Sequence, residues 1–235
     1  MKRDATDYKF YFDSLKKSTD FSRLSDDIIN DMLEMFYVET WAKGQMYFNG
    51  DKLLYRFHYV VSGRIKMYQI HPEKGNEHTL YINTSGDFFD LICLLDNKNH
   101  NIQMEALDDI VLLSAPMDIV REWILKHPSF NRIFLPYIAK QLRKMEDKAN
   151  DLALFDTWTR TLKLFIKHSN KTIHDTELKL INNLTNSEIA HIVGTSKNII
   201  NLHLQKLKKK DIIEVKRHKI KLKKYNDLLE LLENK

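Results

Sequence analysis

Residues 188–207, "EIAHIVGTSKNIINLHLQKL", decide how the C-terminal third of this chain is read. The stretch has apolar residues at helical spacing, yet Gly194 sits near its middle, where glycine costs a helix about 1 kcal/mol relative to alanine. The conflict disappears if the stretch is two helices. Thr185 followed three residues later by Glu188 is a capping box, in which each side chain takes a backbone N–H of the other residue. Ile189, Ala190, Ile192 and Val193 supply the buried side of this first helix. Gly194 ends it in the left-handed conformation that glycine tolerates best. Thr195 or Ser196 caps the second helix, which turns Ile200, Leu204 and Leu207 inward. Ala190 is small where two crossing helices come closest. Two helices joined by so short a turn form a helix-turn-helix, whose second helix is free to enter a major groove. The bland alternative is a helical hairpin with an ordinary polar face.

The polar residues of the second helix carry the difference. Ser196, Lys197, Asn198 and Asn201 lie at its N-terminal end. A lysine can donate to guanine O6 and N7, and an asparagine can bind adenine bidentately. Thr185 and Ser196 suit phosphate oxygens at helix N-termini. Ser187, Thr195 and Lys206 complete the expected DNA-facing set on these helices. Downstream, "DIIEVKRHKIKLKKY" (211–225) alternates Ile213, Val215, Ile220 and Leu222 about a tight turn at Arg217-His218, the pattern of a β-hairpin wing. Arg217 at its tip is placed to touch the DNA backbone or to stand in solvent. A closing helix, "NDLLELL", is expected to be capped by Asn226.

The charge agrees with this division. Residues 155–235 hold 17 Lys and Arg against 9 Asp and Glu, whereas residues 1–154 hold 20 against 23. A basic rear behind an acidic front suits a polyanion partner, although solvated surface lysine gives the same tally.

The first half is punctuated by glycines and strand-like runs. "LYRFHYVV" (54–61), "RIKMYQI" (64–70), "HTLYI" (78–82) and "IVLLSA" (110–115) are separated by turns at Ser62-Gly63, at "HPEKGNE" (71–77) and at Ser85-Gly86-Asp87. Ile65 and Met67 alternate with Arg64, Lys66 and Tyr68, which predicts a half-buried strand. Short strands at regular spacing predict a small antiparallel roll or barrel. From Met117 the period changes to helical. "MDIVREWILKHP" stops at Pro128, and Ser129 is expected to cap a helix of about 25 residues, about 37 Å long. On it Leu135, Ile138, Leu142, Met145, Ala149 and Leu152 are spaced 3, 4, 3, 4, 3, a coiled-coil seam. The seam joins two copies of the chain or packs on its own domain.

The predicted class is therefore α+β: a β-roll with N-terminal helices over 1–128, a dimerisation helix over 129–154 and a winged helix-turn-helix over 155–235. The chain has 235 residues, 43% hydrophobic and 29% charged, which suits a globular protein of two domains. No run of 18 apolar residues is present, so no membrane span is expected. The opening "MKRDATDYKFYFDSLKK" lacks the apolar core of a secretory signal, and one cysteine allows no disulfide within the chain, so a cytoplasmic protein is expected.

A glycine-punctuated roll, a seam helix and a terminal winged helix, in that order, resemble the Crp/Fnr family of bacterial transcription regulators. The resemblance runs from about Trp41 to Leu232, and "LTNSEIAHIVGTSKNIINLHLQKL" (184–207) matches the family's DNA-reading motif in spacing. It implies a homodimer on a near-palindromic duplex site, with RNA polymerase as a further partner, and no enzymatic activity. Lys197 falls where many members carry a base-reading arginine, and Asn198 where many carry a glutamate. Asn198 should therefore not prefer cytosine N4.

The sensor departs from the pattern. Cyclic-nucleotide members hold the phosphate with a glycine-glutamate pair and a later Arg-Ser/Thr pair. In "GDFFDLICLLDNKNHNIQMEA" (86–106) the first pair is Asp90 and Leu91, and the arginine position falls at His100 or Asn101. A cyclic phosphate needs positive charge and free donors, so cAMP is not the expected effector. Another small molecule in the roll would meet Phe88, Phe89, Leu91 and His100. No metal site and no cofactor are expected: one cysteine cannot hold an iron–sulfur cluster, and no histidine lies in a diagnostic motif. Cys93, in "LICLL", reads as a small buried hydrophobe. Two rival readings are a cyclic-nucleotide-responsive regulator and a jelly-roll metalloenzyme.

Overall fold

The computed structural model describes residues 7–18, 20–47, 55–169, 178, 180–216 and 219–233. It falls into two compact units, Met1–Gln69 with Leu80–Lys144, and Ile70–Thr79 with Met145–Lys235.

The first unit opens with α1 (Tyr8–Lys17) and α2 (Asp26–Met35), the latter started by Ser25, whose hydroxyl accepts from the Ile28 N–H. Strands β1 (Tyr37–Trp41), β2 (Met46–Tyr47), β3 (Arg56–Ser62), β4 (Arg64–Ile70), β5 (Glu77–Thr84) and β6 (Phe88–Phe89) follow. Then come α3 (Leu91–Asp96), β7 (Gln103–Ala106), β8 (Ile110–Pro116), α4 (Met117–Lys126) and α5 (Pro128–Leu154). Two four-stranded sheets, ordered β1-β8-β3-β6 and β2-β7-β4-β5, form the expected roll. The β3–β4 turn needs glycine: Gly63 has φ +89°, and a Cβ there would lie 2.8 Å from the Asp109 carbonyl.

Strand β4 is buried on both faces, not one. Ile65 and Met67 face the core at 0% exposure, as their alternation predicts, but Arg64, Lys66 and Tyr68 are buried too. Cross-strand partners make this tolerable. Lys66 Nζ lies 2.5 Å from Glu105, its register partner on β7. The Arg64 guanidinium forks onto Asp108 at 2.6 and 2.7 Å, and it holds the Asp108 carboxyl below the usual range. A buried charge survives only when paired in this way.

Helix α5 begins at Pro128, so Ser129 lies inside it rather than capping it. Proline suits the first helical position, where its missing N–H leaves no bond unmade. Phe130, Phe134 and Tyr137 are its buried side. They join Phe21, Phe57 and Phe88 in an aromatic core, and the Tyr137 hydroxyl accepts from the Phe88 N–H at 2.8 Å. The seam residues lie elsewhere on the helix. Leu135 is 60% exposed and Leu142 62%, with Met145, Ala149 and Leu152 also exposed and Ile138 half-buried.

The second unit carries α6 (Thr157–His168), α7 (Asn186–Val193), α8 (Lys197–Lys209), β9 (Ile213–Lys216), β10 (Lys219–Leu222) and α9 (Tyr225–Glu233). Trp158, Leu162, Phe165, Ile189, Ile200, Leu204 and Leu207 are buried in it. Strands β9 and β10 pair antiparallel with Val215 opposite Ile220, the alternation read from the sequence. Arg217 and His218, at the wing tip, lie outside the described residues. Helix α9 starts at Tyr225, which places Asn226 in its first turn rather than at its cap. Among the described residues no helix is long and apolar enough to cross a membrane.

Candidate nucleic-acid interface and sensor site

The turn between α7 and α8 is built by the local signals its sequence carries. The Thr185 hydroxyl accepts from the Glu188 N–H at 3.2 Å, and the Thr185 N–H donates to the Glu188 carboxylate at 2.5 Å. Gly194 closes α7 with φ +74°, and Thr195 donates its N–H to the Ala190 carbonyl at 2.9 Å. Ser196, not Thr195, caps α8, accepting from the Ile199 N–H at 3.4 Å. Arg160 on α6 braces the corner from outside, donating to the Gly194 carbonyl at 3.1 Å and to Phe155 and Leu152 carbonyls at 3.1 and 3.2 Å.

The expected DNA-facing residues are unequally placed. Ser196, Lys197 and Asn198 are exposed at the start of α8 and Thr185 is exposed at the start of α7, while Ser187 and Thr195 are half-buried. Asn201 is held by a neighbour: Asn186 Nδ2 donates to its Oδ1 at 2.6 Å, which aims the Asn201 side chain and leaves its amide NH2 available. Lys206 is turned back onto the Trp158 ring, 4.2 Å from its centroid. His203 is half-buried, with Nδ1 3.0 Å from the Thr161 hydroxyl, which itself donates to the Thr157 carbonyl. That hydroxyl has one proton, so His203 Nδ1 carries the hydrogen between them. Asn186 and Arg160 escaped the sequence reading because their partners are 15 and 34 residues away. Leu202 on α8, off the spacing of Ile200, Leu204 and Leu207, is 59% exposed.

The second unit also holds residues 70–79. Glu77 lies 3.0 Å from His191 on α7, and Lys148 on α5 donates to the Thr79 carbonyl. Burial, and secondarily Lys167, pushes the Lys148 ammonium down from 10.5 to about 8. A lysine depressed in the folded state destabilises it while charged. The penalty is therefore complete below pH 8 and fades as pH rises towards 10.5. Lys148→Met should stabilise this unit by about 1–2 kcal/mol at pH 7, the removed penalty being partly offset by the lost hydrogen bond to Thr79. It should also abolish the rise in stability between pH 8 and 10.5, which urea unfolding across that range would read. A rise that persists in the variant would assign it to another group.

In the first unit the segment after Gly86 is occupied by its own side chains. Asp90, 1% exposed, caps α3 by accepting from the Ile92 N–H at 3.0 Å, and its other oxygen lies 2.6 Å from His100 Nδ1. Cys93 Sγ lies 3.1 Å from the Lys98 carbonyl and 3.4 Å from Asp90, two acceptors for its single proton. Burial, reinforced by Asp90, pushes the Cys93 thiol up to about 12, and burial raises the Tyr81 hydroxyl beside them as well. A thiol so raised stays protonated at neutral pH and is a poor nucleophile. Phe88 belongs to the aromatic core, and Phe89 stacks on His58 at 4.8 Å; Leu91 is half-buried. A cleft of about 500 Å³ in this unit is lined elsewhere, by Ser14, Lys17, Tyr59, Ser85, Asp87 and Lys140 among others. Among the described residues no cluster of three or more His, Cys, Asp or Glu is arranged to hold a metal ion.

A β-roll, a long helix and a winged helix-turn-helix, in that order, define the architecture of a transcription regulator. Family models agree with both parts: a cyclic nucleotide-binding domain matches residues 38–127, and a Crp-like helix-turn-helix domain matches residues 159–231. A CRP-like cAMP-activated global transcriptional regulator of Mycobacterium tuberculosis is 26% identical over 148 residues, 62% of this chain and 66% of that protein's own length. A mutant of CooA from Carboxydothermus hydrogenoformans matches with a TM-score of 0.71 at 22% identity, covering 86% of this chain and 90% of that one. The c-di-GMP responsive global regulator CLP of Xanthomonas campestris matches with a TM-score of 0.69 at 17% identity, covering 85% and 100%. The chain belongs to the Crp/Fnr family of transcription regulators.

Proposed function

We propose that this chain is a homodimeric, sequence-specific DNA-binding transcription regulator that acts in the cytoplasm with RNA polymerase, and whose effector is not cAMP. One observation carries the DNA reading. Ser196, Lys197 and Asn198 stand exposed at the N-terminus of a helix that Ser196 itself caps, just after a corner closed by Gly194 and braced by Arg160. Such an N-terminus offers backbone N–H groups and a partial positive charge to phosphate while its side chains reach base edges. The dimer places two such helices about 34 Å apart on a near-palindromic site.

Selection from random duplex DNA with the full chain and no added effector tests this reading. Recovery of a two-fold symmetric site supports it. Recovery of no site at low salt, with or without a bacterial small-molecule extract, overturns it. Lys197→Ala should weaken binding to the recovered site by about 1–3 kcal/mol while leaving random DNA almost unchanged. Equal losses on both would reduce Lys197 to a phosphate contact.

The effector reading rests on Asp90. It stands in the sequence where cyclic-nucleotide members carry their glycine-glutamate pair, and its buried carboxylate is already bonded to His100 and Cys93. A cyclic phosphate brought there would meet a like charge rather than an arginine. Titration calorimetry with cAMP should show no saturable heat. Saturable binding would favour the cyclic-nucleotide-responsive alternative, the activity named for the mycobacterial relative. Another small molecule in the roll, or no effector, remains compatible with the DNA reading.

A further inference from the structure

We infer that Leu202 is a specificity-determining residue that reads the 5-methyl group of a thymine in each half-site. The inference rests on the DNA-binding reading above and names a base that reading leaves unassigned. On α8, Ile200, Leu204 and Leu207 are buried at 0%, 5% and 0% exposure, whereas Leu202 is 59% exposed. It is two residues from both Ile200 and Leu204, so at about 100° per residue it points roughly 160° away from each. It therefore sits near the middle of the helix's outward side.

The company it keeps there is polar. Asn198 precedes it by four residues and Gln205 follows it by three; both are exposed, and both share its face. Lys197, Lys208 and Lys209 are exposed on the same helix. Only Lys209 shares the face of Leu202, while Lys197 and Lys208 flank it round the helix, so a polar face on a basic helix surrounds the leucine and implies no apolar partner protein. The charge instead fits a nucleic acid backbone. Within a major groove, the one apolar group on a base edge is the thymine methyl. Leu202 lies about 6 Å along the helix from Asn198, so the thymine should fall one or two base pairs from the base Asn198 meets. His203 and Lys206 cannot take this role, since they turn to Thr161 and Trp158.

The test uses the site recovered by selection, with each thymine replaced in turn by deoxyuridine, which lacks only the methyl. Affinity of the 235-residue chain should fall about fourfold at one thymine per half-site, the equivalent of one buried methyl group at about 0.8 kcal/mol. Replacing the symmetric pair should cost roughly fifteenfold. Leu202→Ala, an exposed change that leaves the core intact, should bind the thymine and deoxyuridine sites within twofold of each other. If a symmetric site is recovered and every thymine tolerates deoxyuridine, Leu202 reads no methyl, and the DNA-binding reading stands without it. If Leu202→Ala keeps the full deoxyuridine penalty, another side chain reads the methyl and the assignment fails. If no site is recovered, the assignment falls together with the reading it rests on.

Discussion

Gly194→Val is expected to destabilise the C-terminal unit by about 3–4 kcal/mol and to remove specific DNA binding. Two costs add. A β-branched residue at φ +74° is in the left-handed region, which costs an ordinary L-residue roughly 1–2 kcal/mol and a branched one more. The new Cβ would also lie 2.9 Å from Leu152 Cδ2. Leu152 can swing, so that contact alone is survivable; valine's two methyl groups leave it less room. Gly194→Ala should therefore cost about half as much, and Gly194→Asn less again, because asparagine visits the left-handed region more readily than other side chains. Urea unfolding followed by Trp158 emission, with Trp41 and Trp123 replaced by phenylalanine in the reference protein, would read the series. An order other than valine, alanine, asparagine would mean that the corner relaxes out of the left-handed conformation. The functional loss follows from geometry: moving the corner moves the Arg160–Gly194 brace and with it the start of α8.

What the sequence shows plainly is what its nearest neighbours determine. Thr185 and Glu188 announce a helix start because each bonds the other's backbone three residues away, and Ile213, Val215, Ile220 and Leu222 announce a hairpin because period 2 is a local property. What it hides depends on partners distant in the chain. Arg64 and Lys66 read as the wet face of β4, and only Asp108 and Glu105, some 40 residues on, make their burial tolerable. The tie between Glu77 and His191 spans more than 100 residues and leaves no periodic trace. At the reading helix, the polar side chains were legible from position alone. The turning of Lys206 onto Trp158 was not, because it depends on how α6 packs. Leu202 falls off the spacing of Ile200, Leu204 and Leu207, so its outward direction is legible, but that nothing else in the unit covers it depends on how α8 packs.

Leu142→Glu is expected to convert a dimer to a 28.0 kDa monomer. Leu142 is 62% exposed in the isolated chain, so glutamate there sits in water and should not disturb folding. In a parallel two-stranded seam the same substitution enters twice, and each copy faces its counterpart across the axis. Two carboxylates buried together cost several kcal/mol, enough to weaken association by about 10²- to 10³-fold. Sedimentation equilibrium should show the mass halve, and affinity for the full palindrome should fall towards that of one half-site, because the tethering of the second reading helix is lost. Met145→Glu, one position further along the stripe and 41% exposed, should act in the same direction. Unchanged mass in both variants would place the seam outside the dimer interface. Mixing the Leu142→Glu protein with a Leu142→Lys protein separates a true seam from general surface damage. Opposite charges at the axis relieve the repulsion that either homodimer suffers, so the mixture should recover dimers that neither variant forms alone. An apolar stripe that merely packs on its own chain would give no such recovery, because nothing on one copy would meet the altered residue of another.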